Sequence, residues 1–497
     1  MSAISIAFNR FGIGARPDQP PPTDAKRWLF DQVGRFDPRP DAIANAPTSA
    51  GVAAELAAYQ REQQALRQQA RAAPPPMVQP LPAPGPTAAP QPLPPGMAAP
   101  PGRTDAQRQA RQFAGREARG DYAGAVAART ASALSTDTPF AERLVWFWAN
   151  HFAVSADKLE LVGLAGTLEF EAIRPHLAGR FADMLLAVER HPAMLLYLDQ
   201  AVSVGPASPV GQRAAERGRR VGLNENLARE IMELHTLGVR SGYSQGDVTE
   251  FARALTGWTV AGIGRGPGAR AAGTDGLPGD FVFVDQVHEP GDRTVMGRRY
   301  PAGGVEQATA VLADLAVAPA TARHVATKLA RHFAGDTPPP AMVARLEAAF
   351  LRSGGDLPTL YRALVDSPEA WIEGAPKFRT PWEWTIGAYR ALGTKDVQPG
   401  AIVGLLNQLG QPTWKPGQPA GYDDIAGSWA GPDAVVRRVE AAERFAGRVP
   451  GGIDARALAI KLFPAAVSPV TAQALARAES PAQALALLLV SPEMMRR

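Results

Sequence analysis

The sequence predicts a mainly α-helical protein, a large multi-helix fold that carries one small β-hairpin and one long proline-rich insertion. Three observations predict it. Runs of good helix formers fill most of the 497 residues, with proline at many starts and glycine after several ends. A clear strand pattern appears in one place, Phe281-Val-Phe-Val284, with Arg293-Thr-Val-Met296 downstream. The stretch from Pro74 to Gly102 is rich in Pro, Ala and Gly and lacks aromatic residues. Such a composition cannot bury enough apolar surface to offset its ordering entropy, so it is expected to be extended or disordered.

Taken in order, a proline-rich turn at 17–22 precedes a helix through Ala25 to Val33. A long Ala-, Gln- and Arg-rich helix follows at 51–72, and the helical pattern resumes from Asp105 to Arg119. The proline-rich segment therefore reads as an insertion joining two long helices, or as an exposed docking segment. Thr138 as N-cap and Pro139 at N1 start a helix whose body, Glu142 to Phe152, is apolar nearly all round and expected to be buried. The segments with Arg174-Pro-His176, His191-Pro192 and Tyr197-Leu-Asp199 read as helices broken at proline, with Asp199 at a helix end. Gly222 and Gly238 bracket a helix of about four turns with Asn224 as its N-cap. Past Trp258 the chain becomes glycine-rich and enters the hairpin, with Gln286 to Asp292 as its loop. A helix from Thr321 to Phe333 follows, and from Pro338 helices alternate with Pro and Gly loops. This order divides the chain into N-terminal helices (1–72), the insertion (73–103), a central helical core (104–335) and a C-terminal helical region (336–497).

Composition narrows the function classes. At 45% hydrophobic content the chain can bury a large core, and a net charge of +4 is small for its size. The cations are scattered among almost as many acids, so no nucleic-acid partner is expected. The absence of cysteine removes disulfides, zinc-thiolate sites and thiol catalysis together. No apolar run approaches the ~20 residues that span a bilayer, and the first residues lack the pattern of a secretory signal. The expectation is a cytoplasmic protein, or one that reaches the periplasm bound to a signal-bearing partner. No phosphate-binding Gly loop, nucleophile elbow or dinucleotide fingerprint is present, which disfavours nucleotide-dependent chemistry.

The densest polar cluster runs from Gly222 to Gly238. On an α-helix Asn226, Glu230 and Glu233 share one face, Arg229 lies at its edge, and Ala228, Ile231 and His235 lie roughly opposite. Glu230 and His235 diverge by about 140° on that geometry, so one metal is not chelated by both. Glu230, Glu233 and Arg229 read either as a structural ion-pair network or as a functional site. In the helix before it, Asn150 and His151 fall in or near the core, where an imidazole needs a partner. His288 and Glu289, with Asp285 and Asp292, form a second cluster around the hairpin loop. On the helix near 324, His324, Lys328 and Arg331 share a face that suits phosphate, sulfate or carboxylate, or else is a solvated basic surface.

These motifs carry a resemblance. Gly222-Leu-Asn-Glu-Asn226, Ala228-Arg-Glu230 and Glu233-Leu-His-Thr-Leu-Gly238 resemble the signature of a large bacterial family of uncharacterised proteins, domain of unknown function 1800. Phe8-Asn-Arg-Phe-Gly12, Trp148-Ala-Asn-His-Phe152, Ile173-Arg-Pro-His176, Leu196-Tyr-Leu-Asp199, Leu255-Thr-Gly-Trp258, His288-Glu-Pro-Gly291 and Ala322-Arg-His324 follow the same pattern. The resemblance implies no established activity. It implies a partner, because members are often encoded beside an exported sulfatase-like companion protein, and many carry export signals of their own.

Two functions are expected from these readings. The first is a hydrolase-type enzyme with catalytic Asn150, His151, Glu230, Glu233 and His235, and with ligand-binding Asn224, Asn226, Arg229, His288, Arg323, His324 and Lys328. It works with or without a divalent metal, whose ligands would be His151, Glu230 and His288. The second is a non-catalytic partner of the companion protein or of a polysaccharide.

Overall fold

A computed structural model describes residues 2–72, 105–272, 276–374, 377–449 and 453–497. The protein is 64% helical, and among the described residues there are two small antiparallel sheets of two strands each, so the mainly α expectation holds. The proline-rich stretch expected to be extended lies outside the described residues, between the helices Ser49–Ala72 and Asp105–Ser135. These two helices pack against each other. Among the described residues no helix is long and apolar enough to cross a membrane.

The helix Pro139–His151 begins as predicted, with Thr138 in the capping position and Pro139 at N1. Phe140, Leu144, Val145, Trp148 and Phe152 are fully buried, which follows from a sequence apolar on every side. The helix runs through the largest of three hydrophobic cores among the described residues, with Phe11, Phe181, Ile231, Val325 and Phe333; the smallest gathers Val204, Val284 and Val287. A second core, around Trp384, Phe445, Leu458, Leu485 and Leu488, lies among the C-terminal helices. The first residues join the two. Phe8 belongs to the second core and Phe11 to the first. Between them Asn9 donates to the Leu462 carbonyl, and Arg10 donates to the carbonyls of Ala370, Ile372 and Gly374.

The two expected strands are present, but each pairs with a strand that the sequence did not mark, so the expected hairpin between them does not form. Phe281–Phe283 (β2) pairs with Trp258–Val260 (β1), in register Trp258 with Phe283, rather than with Arg293–Val295 (β3). The rings of Trp258 and Phe281 meet edge to face at 5.1 Å, an aromatic cross-strand contact that favours this pairing. β3 instead forms the hairpin with Arg298–Tyr300 (β4). Met296 and Gly297 connect them with φ of 51° and 75°, the two positive values that a tight two-residue hairpin turn needs.

Candidate functional site

The helix between Gly222 and Gly238 is α-helical over Asn226–Glu230 and then a π-helix over Ile231–His235. The wider i→i+5 turn reduces the divergence that an α-helix imposes on Glu230 and His235, and the two come within electrostatic reach. Burial raises the Glu230 carboxyl above its usual range, and His235 partly opposes the rise. Gly238 terminates the helix with φ of 93°, as its position predicted. A side chain there would also meet His324, whose Nδ1 would lie 2.9 Å from its Cβ.

The last carbonyls of a helix have no intrahelical donor. Here two imidazoles supply one each. His151 Nε2 lies 3.1 Å from the His235 carbonyl, and His324 Nε2 lies 3.1 Å from the Leu234 carbonyl. Both bonds require the proton on Nε2. Burial, and next to it the Lys328 cation, holds the His151 imidazole well below its ordinary value and the His324 imidazole down to about 4, so both are neutral at pH 7. His235 is itself anchored, with Nδ1 2.7 Å from Glu189 Oε1 and both side chains fully enclosed.

The other motif residues separate into bracing groups. Arg229 pairs with Glu225 at 3.2 Å and Glu233 at 3.5 Å and bonds Gln245; of the network read from the sequence Glu233 takes part, whereas Glu230 forms no ion pair among the described residues and Glu225 takes that role. Asn224 does not sit at the cap position proper, which Glu225 occupies, but its side chain accepts from the Asn226 amide and donates to the Asp199 carbonyl. Asn226 is exposed, and Arg323 points outward to Glu347. His288 and Glu289 are not at a solvated tip. His288 Nδ1 donates to the Thr256 carbonyl at 2.7 Å and Glu289 Oε2 accepts from the Ala207 amide at 2.8 Å. Among the described residues no three His, Asp or Glu side chains are grouped to hold a metal ion, and this includes the expected set of His151, Glu230 and His288. The reason is local: His151 closes a helix end in the core, whereas His288 closes the turn after Thr256.

A cavity of about 230 Å³ opens on the other side of His151. Its floor is the helix Pro319–Ala334, hereafter the cavity helix. His324, Lys328, Arg331 and His332 recur at helical spacing on one stripe of it, and the last three line the cavity with His151. The loop from Gln411 to Asp424 forms the far side. Asn150 holds that loop, since its amide donates to the Tyr422 carbonyl and accepts from the Tyr422 N–H, both at 2.8 Å. Asn150 is thus a positioning residue.

Two kinds of group meet in the cavity. Trp146, Trp382 and Trp414 form an aromatic wall around the Arg129 guanidinium, which lies 4.4 Å from the Trp382 ring and 5.2 Å from the Trp414 ring. Arg129 and the Trp414 indole both bind Glu169, but the indole N–H groups of Trp146 and Trp382 are buried without a partner. On the cavity helix Lys328 is half-buried, and among the described residues it has neither a hydrogen bond nor an ion pair. Burial lowers its ammonium to about 8, with Asp424 opposing the shift and Arg331 adding to it. Arg331 likewise has no ion pair, and its Nε is buried without a partner. Of the acids lining the cavity, Asp423 is exposed and accepts from the Ser428 hydroxyl, and the other two are paired with cations or imidazole. Glu383 is held ionised by Arg497 and Arg143, and Asp424 by His332 and Lys377.

His332 is the one imidazole here with an orienting carboxylate and a free edge. Its Nδ1 lies 2.9 Å from Asp424 Oδ2, while Asp424 Oδ1 lies 3.1 Å from Lys377 Nζ. Its Nε2 is buried and unpartnered. Burial pushes the imidazole down to about 4 despite Asp424, so at neutral pH the Nε2 lone pair is available.

Comparison with known families gives a match over residues 6–496 to the family described as Protein of unknown function (DUF1800). The chain belongs to that family. No curated protein and no solved structure matches the chain. Family membership supplies no chemistry, so the functional reading rests on the geometry. That geometry gathers His151, Lys328 and Asn150 from among the sequence candidates, and places His235 and His324 next to them on the other side of His151. Sequence reasoning missed His332, Asp424, Glu189 and the tryptophan wall. His332 was within reach, because it lies one helical repeat after Lys328 on the stripe already recognised. Asp424 and Glu189 carried no local signal.

Proposed function

We propose that the cavity binds a small organic anion and that His332, oriented by Asp424, moves a proton on the bound ligand or on a water beside it. The observation that carries this reading is the pair Lys328 and Arg331, two cations without carboxylate partners facing one enclosed space. Buried cations normally pair, and here the missing partner is supplied by a carboxylate, sulfate or phosphate of a ligand. The indole N–H groups of Trp146 and Trp382 add donors, and the aromatic faces accept an apolar or ring-shaped body. A bound anion also raises the basicity of His332 from its low value, toward the range useful for proton transfer near neutral pH.

A thermal-shift survey of simple carboxylates, sulfate esters and phosphate esters tests the binding. Removing a charge-assisted hydrogen bond costs about 1.5–3 kcal/mol, so Lys328→Ala and Arg331→Ala should each weaken binding by roughly 10- to 100-fold. Equal affinity in the wild type and both variants would remove the cavity as the anion site.

A further inference from the structure

Two lysines near the cavity contrast, one lining it and one behind Asp424. Lys377 is almost fully enclosed, and its Nζ is engaged by Asp336 at 2.9 Å, Asp424 at 3.1 Å and the Asp424 carbonyl. Lys328 lines the cavity and has no such partner among the described residues. Lysines of the second kind, desolvated and next to another cation, are the ones whose neutral amine acts as a nucleophile. The neighbouring groups are ordered for such a step. Arg331, three residues on, is free to hold a carboxylate, and His332, four residues on and so adjacent on the helix surface, has its unpartnered Nε2.

Resting on the anion-binding reading of the same cavity, we propose that Lys328 condenses with the carbonyl group of a carboxylate-bearing oxo compound to form an imine. The Nζ lone pair attacks the carbonyl carbon, a C–N bond forms, and the carbonyl π pair moves to oxygen, which takes a proton. His332 Nε2 relays that proton from the nitrogen and then a second one to the same oxygen; the C–O bond of the carbinolamine breaks, the nitrogen lone pair forms the C=N bond, and water leaves. Amine and carbonyl compound become imine and water, with no net oxidation. Burial supports the step by holding the amine at about 8 against the opposing charge of Asp424. Arg331 from the same helix, His151 from the helix Pro139–His151, and His332 add no negative charge that would restore an ordinary lysine.

Glyoxylate with sodium cyanoborohydride, followed by peptide mass mapping of the full chain, tests this directly. Reduction of the imine leaves a carboxymethyl mark. The expected result is a mark on Lys328 at least tenfold faster than on exposed Lys395 and Lys461, with none on Lys377. Lys328→Arg should keep the charge and the fold and abolish the fast mark, and Arg331→Gln should slow marking by glyoxylate while sparing marking by formaldehyde. Marking of Lys328 no faster than of the exposed lysines overturns the proposal. If Lys328 is unmarked while calorimetry still detects glyoxylate binding that Arg331→Gln abolishes, imine formation fails and the anion site stands. If glyoxylate neither binds nor marks, both readings fall.

Discussion

Two carboxylate–imidazole pairs in this protein use the same contact for different ends. In the first, Glu189 grips His235 at 2.7 Å with neither side chain accessible, and neighbouring imidazoles are spent on closing the helix end. In the second, Asp424 holds His332 at 2.9 Å, and the imidazole turns a free edge toward a cavity with unpaired cations. A carboxylate beside a histidine therefore does not by itself mark a reactive site. What separates the pairs is whether there is room and unspent charge on the far side of the ring. The polar motif that dominates the sequence belongs to the first pair. The site with ligand chemistry belongs to the second, and the two regions meet at His151.

The largest expected effect breaks the first pair. Glu189→Ala leaves His235 buried without its anchor and should cost about 3–5 kcal/mol, read as a fall in the urea midpoint. His332→Gln should cost about 1 kcal/mol and yet remove any proton-transfer activity, because its free edge makes no structural bond. Similar losses of stability in both variants would erase the distinction between the pairs.

Acid should act next, through the imidazoles on both sides. His324 and His332 are held at about 4 in the fold, below the roughly 6.5 of an unfolded chain, and His151 is lowered in the same direction. Their neutral forms belong to the native state, so the unfolded chain binds protons first. Stability present above pH 6.5 is then lost as pH falls from about 6.5 to about 4, by on the order of 2–3 kcal/mol for His324 and likewise for His332, with His151 acting in the same direction. His324→Asn should flatten that slope in chemical denaturation measured at several pH values. An unchanged slope would show that the helix-end imidazoles titrate freely.

Smaller effects sharpen the second pair. Anion affinity should fall as pH rises through about 8, because Lys328 then loses its charge, and over the same range imine trapping should speed up. Calorimetry and trapping at matched pH values check the opposite trends. Arg323→Ala should do least, within about 0.5 kcal/mol and with no change in anion binding, since its exposed pair with Glu347 lies outside the cavity.

Local physics made much of this fold legible in the sequence. Thr138-Pro139 started its helix, Gly238 ended another with a positive φ, and the pairing of Arg229 with Glu233 fell where helical spacing put it. The failures were also physical. Spacing arguments assumed α-helical geometry through His235, and a π-helix changed the facing of Glu230. The partner of Phe281 was chosen by an aromatic contact with Trp258, not by proximity along the chain. Lys328 and Arg331 were recognisable as a cationic stripe, but a stripe does not say whether water or a cavity lies above it. That depended on the loop around Tyr422, brought over by the Asn150 amide from far away in sequence.

The central claim is that ligand binding belongs to the cavity and not to the polar motif helix. Hydrogen–deuterium exchange of the full chain with and without a saturating organic carboxylate measures this most directly. The account predicts new protection in the Gln411 to Asp424 loop and along Pro319–Ala334. Protection confined to the residues between Gly222 and Gly238, with the loop unchanged, would contradict it.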